Sequence, residues 1–308
     1  MTRIRRFCNA DLPALAERWV QHWSAYGPPP EISGTMIEQA VLGRTFFNPD
    51  SLLVAEYDGY VHGWCHLVER PKSDAVIMAA LCASPEGGRG VLEPLIEAAE
   101  RQAQAWDYHH LLVGPLRDNV CGYVGLDPVG HGIGVPTTDH RTSSLLAHLG
   151  YLESHHVERM RAETTPYRPP INRESLQLAR TTRLETEIWL PSEPRLAAAM
   201  SHLDIERHRL VDHRGGEVLA EIRLWTSDPE VQVMRPSEAI LDLSSSPQGD
   251  LDTATAFLIG SLLRTLANRR IFHVETAVDQ ADATRIDQLR GLHFRTADTG
   301  IRWQKPLA

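Results

Sequence analysis

The stretch from 74 to 106 constrains the fold more than any other part of the chain. An apolar run of strand length, AVIMAALCA, leads into a turn with Gly87, Gly88 and Gly90, and residues with amphipathic helical spacing follow. Such a turn before a helix N-terminus can form an anion site, because its N–H groups point outward and the helix dipole favours negative charge. The alternative is an ordinary strand-to-helix connection. Pro94 is predicted to lie in the first helical turn, where proline is tolerated.

Size and charge exclude several classes of protein. The length of 308 residues favours two domains, and the net charge of −9 does not provide the basic field typical of nucleic-acid binding. No apolar run reaches membrane-spanning length, and the basic N-terminal MTRIRRF lacks the apolar segment of a signal peptide. The four cysteines show no CxxC spacing. We therefore expect a cytoplasmic protein with reduced thiols and with no nucleic-acid or membrane partner.

The order of predicted elements in the first part of the chain is almost repeated in the second. The elements of the first part are strand 3–7, helices 9–26 and 33–46, hairpin strands 51–57 and 60–69, the central strand–turn–helix, strand 109–113, a glycine-rich loop at 116–136, helix 143–151 and strand 152–163. A proline-rich segment, 165–175, reads as a linker. The second part begins with a predicted strand over 176–189, has a hairpin around Gly215-Gly216, and includes a helix capped by Asp252.

This pattern predicts an α/β fold with two tandem domains, 1–164 and 176–308. Each domain is expected to be a mixed, mostly antiparallel sheet flanked by helices, and the shared order of elements indicates a structural duplication.

The residues SPEGGRGVL (84–92), followed by LIEAAE (95–100), are similar to the central signature of the GNAT-type N-acetyltransferases. The late signature of that family, a short helix ending in a Gly-aromatic pair, is matched by LLAHLGY (145–151) and more weakly by LRGLHF (289–294). The order of elements also resembles this family, in which tandem copies are known. The chain departs from the signature at Gly87, where the family has Arg or Gln, and at Leu92, where it has Gly or Ala.

The resemblance implies that the first domain holds acetyl-CoA or another acyl-CoA. The positions that it assigns to the cofactor are Leu81, Cys82, Ala83, Gly87, Gly88, Arg89, Gly90, Val91 and Asn119. Backbone N–H groups matter more than side chains in this role, and Arg89 can add a charge-assisted contact to phosphate. The alternative for Asn119 is a turn residue. The turn of the second domain has one glycine and the acids Asp250 and Asp252, so we expect that domain to be degenerate and not to bind CoA.

Transfer of an acyl group to an amine needs a base, an oxyanion donor and an acid for the leaving thiolate. Family members often use a glutamate on the central strands and a tyrosine on the last helix, but the tyrosine position is Leu146 here and the central strand has no carboxylate. The candidates for the base are Glu69 and His66, with Asp118 or His131 from the glycine-rich loop as further possibilities. His66 also reads as a buried structural histidine and Glu69 as a solvated charge.

Two further kinds of chemistry receive little support. A nucleophilic role for Cys121 has no evident helix N-terminus or cationic partner, so a plain thiol is favoured. The adjacent pairs His109-His110 and His155-His156 point to opposite faces of a strand, so no metal site is predicted.

The sequence therefore predicts an acyl-CoA-dependent N-acyltransferase that acts on an amine of a small molecule or peptide. The alternative is a non-catalytic acyl-CoA sensor or structural module of the same fold. A homodimer is a further expectation.

Overall fold

The computed structural model describes residues 2–70, 72–117, 122–243 and 251–307. The chain divides into two compact units. The first unit comprises Met1–Val157, Ala198–Met200 and Thr299–Ala308, and the second comprises Glu158–Ala197 and Ser201–Asp298. The domain boundaries predicted at 164 and 176 stay a prediction, because compactness and independent folding are different properties.

The first unit contains the complete predicted series of strands and helices. Its strands are β1 (Arg3–Arg6), β2 (Leu52–Tyr57), β3 (Tyr60–Glu69), β4 (Ala75–Ala83), β5 (His110–Val113), β6 (Val135–Pro136) and the first part of β7 (Leu152–Glu163). Its helices are α1 (Leu12–Ser24), a short α2 (Gly34–Ile37) continued by a π-helical turn (Glu38–Leu42), α3 (Arg89–Ala105) and α4 (His140–His148).

The sheet of the first unit contains both antiparallel and parallel pairs of strands. Strands β1 to β4 are neighbours in that order and pair antiparallel, whereas β4 and β5 are parallel. The last strand of the chain, β13 (Arg295–Pro306), pairs antiparallel with β5 through its final residues. All nine residues of β4 are buried, as expected for a central strand covered on both faces.

Helices cover both faces of β3 and β4. On one face, α3 and α4 pack through Leu92, Leu95 and Leu146, side chains that are inaccessible to solvent. On the other face lies α1, whose Leu15 carbonyl accepts a hydrogen bond from the Trp64 indole at 3.0 Å. Because successive strand residues point to opposite faces, the side chains of the run WCHL in β3 alternate between the two helix-covered faces of the sheet.

The second unit has a similar order of elements and its own hydrophobic core. Its elements are α5 (Arg173–Thr181), β8 (Thr182–Ile188), α6 (Pro194–Ala199, whose last residues lie in the first unit), β9 (Leu203–Asp212), β10 (Val218–Ser227), β11 (Glu238–Asp242), α7 (Thr253–Leu266), β12 (His273–Asp279) and α8 (Ala283–Gly291). The strands β8 to β11 pair antiparallel in order, and β11 and β12 are parallel. Helices α7 and α8 pack on this sheet through Leu258, Leu262 and Leu289. The predicted α/β class with mixed sheets flanked by helices is confirmed.

Three local predictions differ from the structure. The first part of the strand predicted over 176–189 is helix α5, because Asn172 caps it through the Ser175 N–H at 2.7 Å. Helix α4 begins before residue 143, since the Asp139 carboxylate caps it. Pro94 lies inside α3 rather than in its first turn. Because proline has no N–H, the Gly90 carbonyl lacks its helical hydrogen-bond donor, and it accepts the Thr2 hydroxyl at 3.5 Å instead.

The predicted cap of α7 is confirmed. Asp252 caps α7 as expected, accepting the Thr255 N–H at 2.6 Å, and Cys65 and Cys82 are buried free thiols. Among the described residues, no helix is both long and apolar enough to cross a membrane.

Candidate active site in the first unit

The turn between β4 and α3 presents main-chain N–H groups at a helix N-terminus. Gly88 precedes the helix with φ +48° and ψ −141°, a conformation that is strained for any residue with a Cβ atom. The Gly87 N–H bonds back to the Ser84 carbonyl at 3.1 Å, which closes the turn. Within the described part of the chain, no group accepts a hydrogen bond from the N–H groups of Gly88, Arg89 or Gly90. These donors are oriented for an anion.

An open cleft of about 590 Å³ lies between the start of α3 and helix α4. Arginine and histidine side chains make up most of its lining, which comprises Arg89, His140, Arg141, Ser144, Leu145 and His148. Among the described residues, no carboxylate belongs to the lining, but Glu93 lies close by and pairs with Arg89 at 2.7 Å. Cationic side chains beside free helix N–H groups form a site suited to phosphate groups.

Strands β4 and β5 separate beside this turn. Their parallel pairing runs from Ala75 opposite His110 to Met78 opposite Val113, and the Gly114 N–H makes the last contact, to the Met78 carbonyl. Beyond that point, no strand of the described residues pairs with β4 on this side. At the gap lies a small cavity of about 20 Å³, whose lining includes Met78, Gly114 and Asp139.

The buried side chains of His22 and Asp139 and the half-buried side chain of Arg141 form a cluster beside the end of β4. His22 Nε2 lies 3.1 Å from an Asp139 carboxylate oxygen, and their side chains are 0% and 1% exposed. Arg141 donates to His22 Nδ1 at 2.8 Å, to the Ser84 carbonyl at 3.3 Å and to the Ala83 carbonyl at 3.4 Å. The Ala83 N–H also donates to His22 Nδ1, at 3.3 Å. Since both of these partners are donors, the proton of the neutral imidazole is assigned to Nε2, which donates to Asp139.

The electrostatics of the cluster follow from burial and these contacts. Burial alone would raise the pKa of Asp139, but hydrogen bonds from His22 and Thr142 outweigh it and the pKa is lowered. Burial, together with the nearby Asp139 carboxylate, raises the pKa of the neighbouring Tyr26 to about 12. Burial also keeps Cys82 in its thiol form by raising its pKa well above the ordinary value.

His66 is a fully bonded histidine in the interior of the unit. Its Nδ1 lies 2.8 Å from the Tyr123 hydroxyl and its Nε2 lies 3.1 Å from the Ser51 hydroxyl. Ser51 donates its own proton to the Asn48 carbonyl, so His66 Nε2–H donates to Ser51 and Nδ1 accepts from Tyr123. Burial lowers the pKa of His66 to about 3. Because neither ring nitrogen has a lone pair to spare, this arrangement favours the structural interpretation of His66.

The other predicted base, Glu69, lies at the far end of the sheet from the turn. It pairs with Val76 at the start of β4, whereas the turn follows the other end of that strand, roughly 25 Å away at the usual rise per residue. Its carboxylate accepts the Tyr108 hydroxyl at 3.2 Å. The geometry does not bring Glu69 together with the predicted cofactor residues.

The remaining predicted positions divide into three groups. Leu81, Cys82 and Ala83 form the buried end of β4, and Gly87 to Val91 form the turn and the start of α3. Leu146, at the family's tyrosine position, is buried in the core, and His131 is buried with its Nε2 3.0 Å from the Asp127 carboxylate. Asp118, Asn119, Cys121 and Asp250 lie outside the described residues.

Sequence reasoning missed His22, Asp139 and Arg141. The helix was predicted, and His22 lies on its buried face with Trp19 and Trp23, which marks it as a buried polar residue. Asp139 gives a helix N-cap signal, but a cap alone does not indicate a histidine partner distant in sequence. Among the described residues, no group of three metal-ligating side chains comes together.

Comparison with solved structures identifies the fold. A tandem GNAT protein from the clavulanic acid biosynthesis pathway, solved without AcCoA, matches with a TM-score of 0.68 and 15% identity, over 100% of this chain and 99% of that one. A glucosamine N-acetyltransferase region of a fungal multi-domain β-N-acetylglucosaminidase matches with a TM-score of 0.71 and 14% identity, over 99% of this chain and 38% of that one. A GCN5-related N-acetyltransferase from Sphaerobacter thermophilus gives a TM-score of 0.63 and 12% identity, over 99% and 96% of the two chains.

These matches confirm the predicted tandem GNAT fold. At such identities they establish the fold alone. No protein-family model matches the sequence, and no curated protein matches it either.

Proposed function

We propose that the first unit binds an acyl-CoA, such as acetyl-CoA, and transfers its acyl group to an amine of a small molecule or peptide. The observation that carries this proposal is the cleft beside the turn at 84–90. Free main-chain N–H groups, two arginines and two histidines converge there, and no carboxylate is among the described lining residues, although Glu93 pairs with Arg89. The fold, shared with proteins named as N-acetyltransferases, supports the same activity.

The residues present fit the diphosphate of CoA. A Cβ atom placed on Gly88 or Gly90 would meet nothing within 4 Å, so the main chain is open to a ligand at both positions. We assign the diphosphate to the N–H groups of the turn, with Arg89 and Arg141 as counter-charges. The end of β4, Leu81 to Ala83, is assigned to the pantetheine arm. When bound, the cofactor would supply an acyl group activated as a thioester.

A second candidate is an acyl-CoA-binding protein without transferase activity. It is favoured by one observation, namely that the Ala83 N–H, the Ala83 carbonyl and the Ser84 carbonyl are already bonded to His22 and Arg141. A pantetheine arm that needs these groups must displace those side chains. Leu146 at the family's tyrosine position also leaves the leaving thiolate without the usual acid.

The two candidates are separated by turnover. Acetyl-CoA is mixed with the full chain and a panel of primary amines, including amino sugars, polyamines and peptides, and released thiol is followed with a disulfide reagent. Amine-dependent thiol release supports the transferase. Saturable binding of acetyl-CoA without release supports the binding protein, and the absence of binding contradicts both candidates.

The second unit is proposed not to bind CoA. The Asp252 carboxylate already accepts the Thr255 N–H at the start of α7, and its charge would repel a phosphate there. A cytoplasmic location and a homodimer also stay proposals, the latter to be tested by sedimentation at several protein concentrations.

A further inference from the structure

We propose that Val129 limits the length of the acyl group that the first unit accepts. Its side chain lines the small cavity where β4 and β5 separate, and the space there suits an acetyl group but not a butyryl group. This inference rests on the proposed binding of an acyl-CoA by the first unit, and it adds which acyl group is bound and which side chain selects it.

A bulge in β4 marks the place where this strand leaves β5. On the β3 side, Met78 and Ala80 lie opposite consecutive residues, so that Ala79 is an extra residue in β4. On the β5 side, strand pairing ends with Met78 opposite Val113. An extra residue bends a strand and can end its pairing. The gap between β4 and β5 therefore starts at Ala79.

The acyl end of a bound cofactor would reach the start of this gap. With the diphosphate at the turn of 84–90 and the pantetheine arm along Leu81 to Ala83, the arm runs along β4 from its last residue toward its middle. About twelve bonds join the phosphate ester oxygen of the arm to its sulfur, and they span roughly 15 Å when extended. The strand covers about 16 Å between Ala83 and Met78 at the usual rise per residue. The sulfur would therefore lie near Met78, with the acyl group at the start of the gap.

The cavity at this place is small and mainly apolar. Leu81 of β4, Val113 of β5 and Val129 of the loop after β5 contribute to its lining, and Asp139 and Thr142 line it on the side of α4. A cavity of roughly 10–15 Å³ admits one water molecule. At about 20 Å³, the cavity of the first unit admits a methyl group but not a chain of three carbons.

Val129 is a fixed part of this lining. Its side chain is 4% exposed, and it begins a single 3-10 turn. The next residue, Gly130, donates its N–H to the Leu126 carbonyl at 2.6 Å, and a Cβ atom at Gly130 would collide with the Tyr123 carbonyl. Main chain packed this closely cannot withdraw without losing these contacts. A longer acyl chain must therefore displace Val129 or stay out of the cavity.

The test is the binding of two CoA thioesters to the full chain, measured by calorimetry. The ratio of the Kd of butyryl-CoA to that of acetyl-CoA reports the fit of the acyl group alone, since the nucleotide and the arm are the same in both. We expect this ratio to be at least about ten in the wild type. Val129→Ala removes two methyl groups from the lining and is expected to lower the ratio to about three or less, with the Kd of acetyl-CoA unchanged within about twofold.

The matched control is Val54→Ala, which truncates another buried valine of the first unit. Val54 lies in β2, is 0% exposed and is not among the described residues of the lining. Its ratio is expected to equal that of the wild type. A wild-type ratio near one would overturn the proposal. So would an unchanged ratio in Val129→Ala, or an equal fall of the ratio in Val54→Ala.

The opposite substitution provides an independent test if Val129→Ala does not fold. Val129→Ile adds one methylene group to the lining, and it is expected to weaken acetyl-CoA at least about threefold relative to CoA, which carries no acyl group. Val54→Ile is expected to leave that relation unchanged. Equal weakening of both ligands by Val129→Ile would contradict the role of Val129.

Failure of this inference differs from failure of the proposed function. A wild-type chain that binds neither CoA nor its thioesters would contradict the proposed acyl-CoA binding and, with it, the selection of acyl length. A chain that binds acetyl-CoA and butyryl-CoA equally well would contradict the selection alone.

Discussion

His22 and Asp139 are 117 positions apart in the chain, yet their side chains form a 3.1 Å hydrogen bond in the interior of the first unit. Helix α1 supplies one partner and the cap of α4 supplies the other. The bond connects elements on opposite sides of the sheet through the gap between β4 and β5. The cluster is thus defined by the tertiary fold, since His22 and Asp139 are distant in sequence from Ala83, whose main chain His22 contacts.

The absence of a side chain at Gly63 is expected to allow the close packing of α3 on the sheet. A Cβ atom at this position would lie 2.6 Å from Val91 Cγ1 and 2.7 Å from the Cys82 carbonyl oxygen. Since one of these neighbours is main chain, Gly63→Ala is expected to lower the free energy of unfolding by about 1–3 kcal/mol, measured by urea titration. Gly27→Ala, which meets nothing within 4 Å, is expected to change it by less than about 0.5 kcal/mol. Equal stabilities of the two variants would contradict this packing.

Gly90→Asp is expected to weaken binding of acetyl-CoA at least about tenfold by placing a carboxylate beside the diphosphate, a loss of about 1.4 kcal/mol. The melting temperature should change little, because the position is open to solvent. Gly291→Asp makes the same charge change at an open position of the second unit and serves as the control in calorimetry. An unchanged affinity in Gly90→Asp would refute the placement of the phosphate.

The burial of neutral His66 is expected to make the folded protein less stable in acid, because the unfolded chain takes up a proton there first. Burial lowers its pKa from 6.5 to about 3, so below pH 6.5 the unfolded chain binds a proton that the folded chain does not. Stability therefore falls as the pH falls, and between pH 6.5 and 5 the loss from this group is about 2 kcal/mol. Urea unfolding at the two pH values measures it. His66→Gln should show a smaller difference by that amount, and an identical pH dependence would contradict the assignment.

In the second unit, Glu275 is a buried carboxylate between two arginines. Its side chain is 2% exposed, Arg161 Nε donates to it at 2.6 Å, and Arg159 lies 3.7 Å away. Removal of the carboxylate takes the shortest ion pair from Arg161 and leaves it only the more distant Glu238, at 3.9 Å, so Glu275→Ala is expected to cost about 2–3 kcal/mol in thermal or urea unfolding.

The control for this prediction is Glu185→Ala, which breaks an exposed pair with Arg183 and is expected to cost less than about 1 kcal/mol. A cost for Glu275→Ala no larger than that of the control would show that the buried pair contributes little.

The parts of the fold that were predictable are those with strong local signals. The apolar run AVIMAALCA has the length of a buried strand and forms β4. The turn at Asp58-Gly59 joins β2 and β3 in the expected hairpin, and Asp252 caps its helix. Errors arose where two local signals competed, as at Asn172, whose capping interaction turned part of a predicted strand into helix.

The anion-binding turn was predictable because its chemistry lies in consecutive residues. The cluster of His22, Asp139 and Arg141 was not, because each residue has an ordinary local interpretation as a helix-face histidine, a cap and a surface arginine. The three residues come together only where β4 and β5 separate, and that separation is a feature of the sheet rather than of any local segment. For His66 the error runs the other way. Its place on the hairpin strand suggested a base, but both of its ring nitrogens are hydrogen-bonded, one to Tyr123 and the other to Ser51.

The central claim is that the first unit, and not the second, binds an acyl-CoA at the turn of 84–90. Isothermal titration calorimetry of the full chain with acetyl-CoA tests it most directly. We predict saturable binding of one acetyl-CoA per chain, lost or greatly weakened in Gly90→Asp and retained in Gly291→Asp. Absence of binding at millimolar acetyl-CoA, two equivalent sites per chain, or binding that survives Gly90→Asp unchanged would contradict the account.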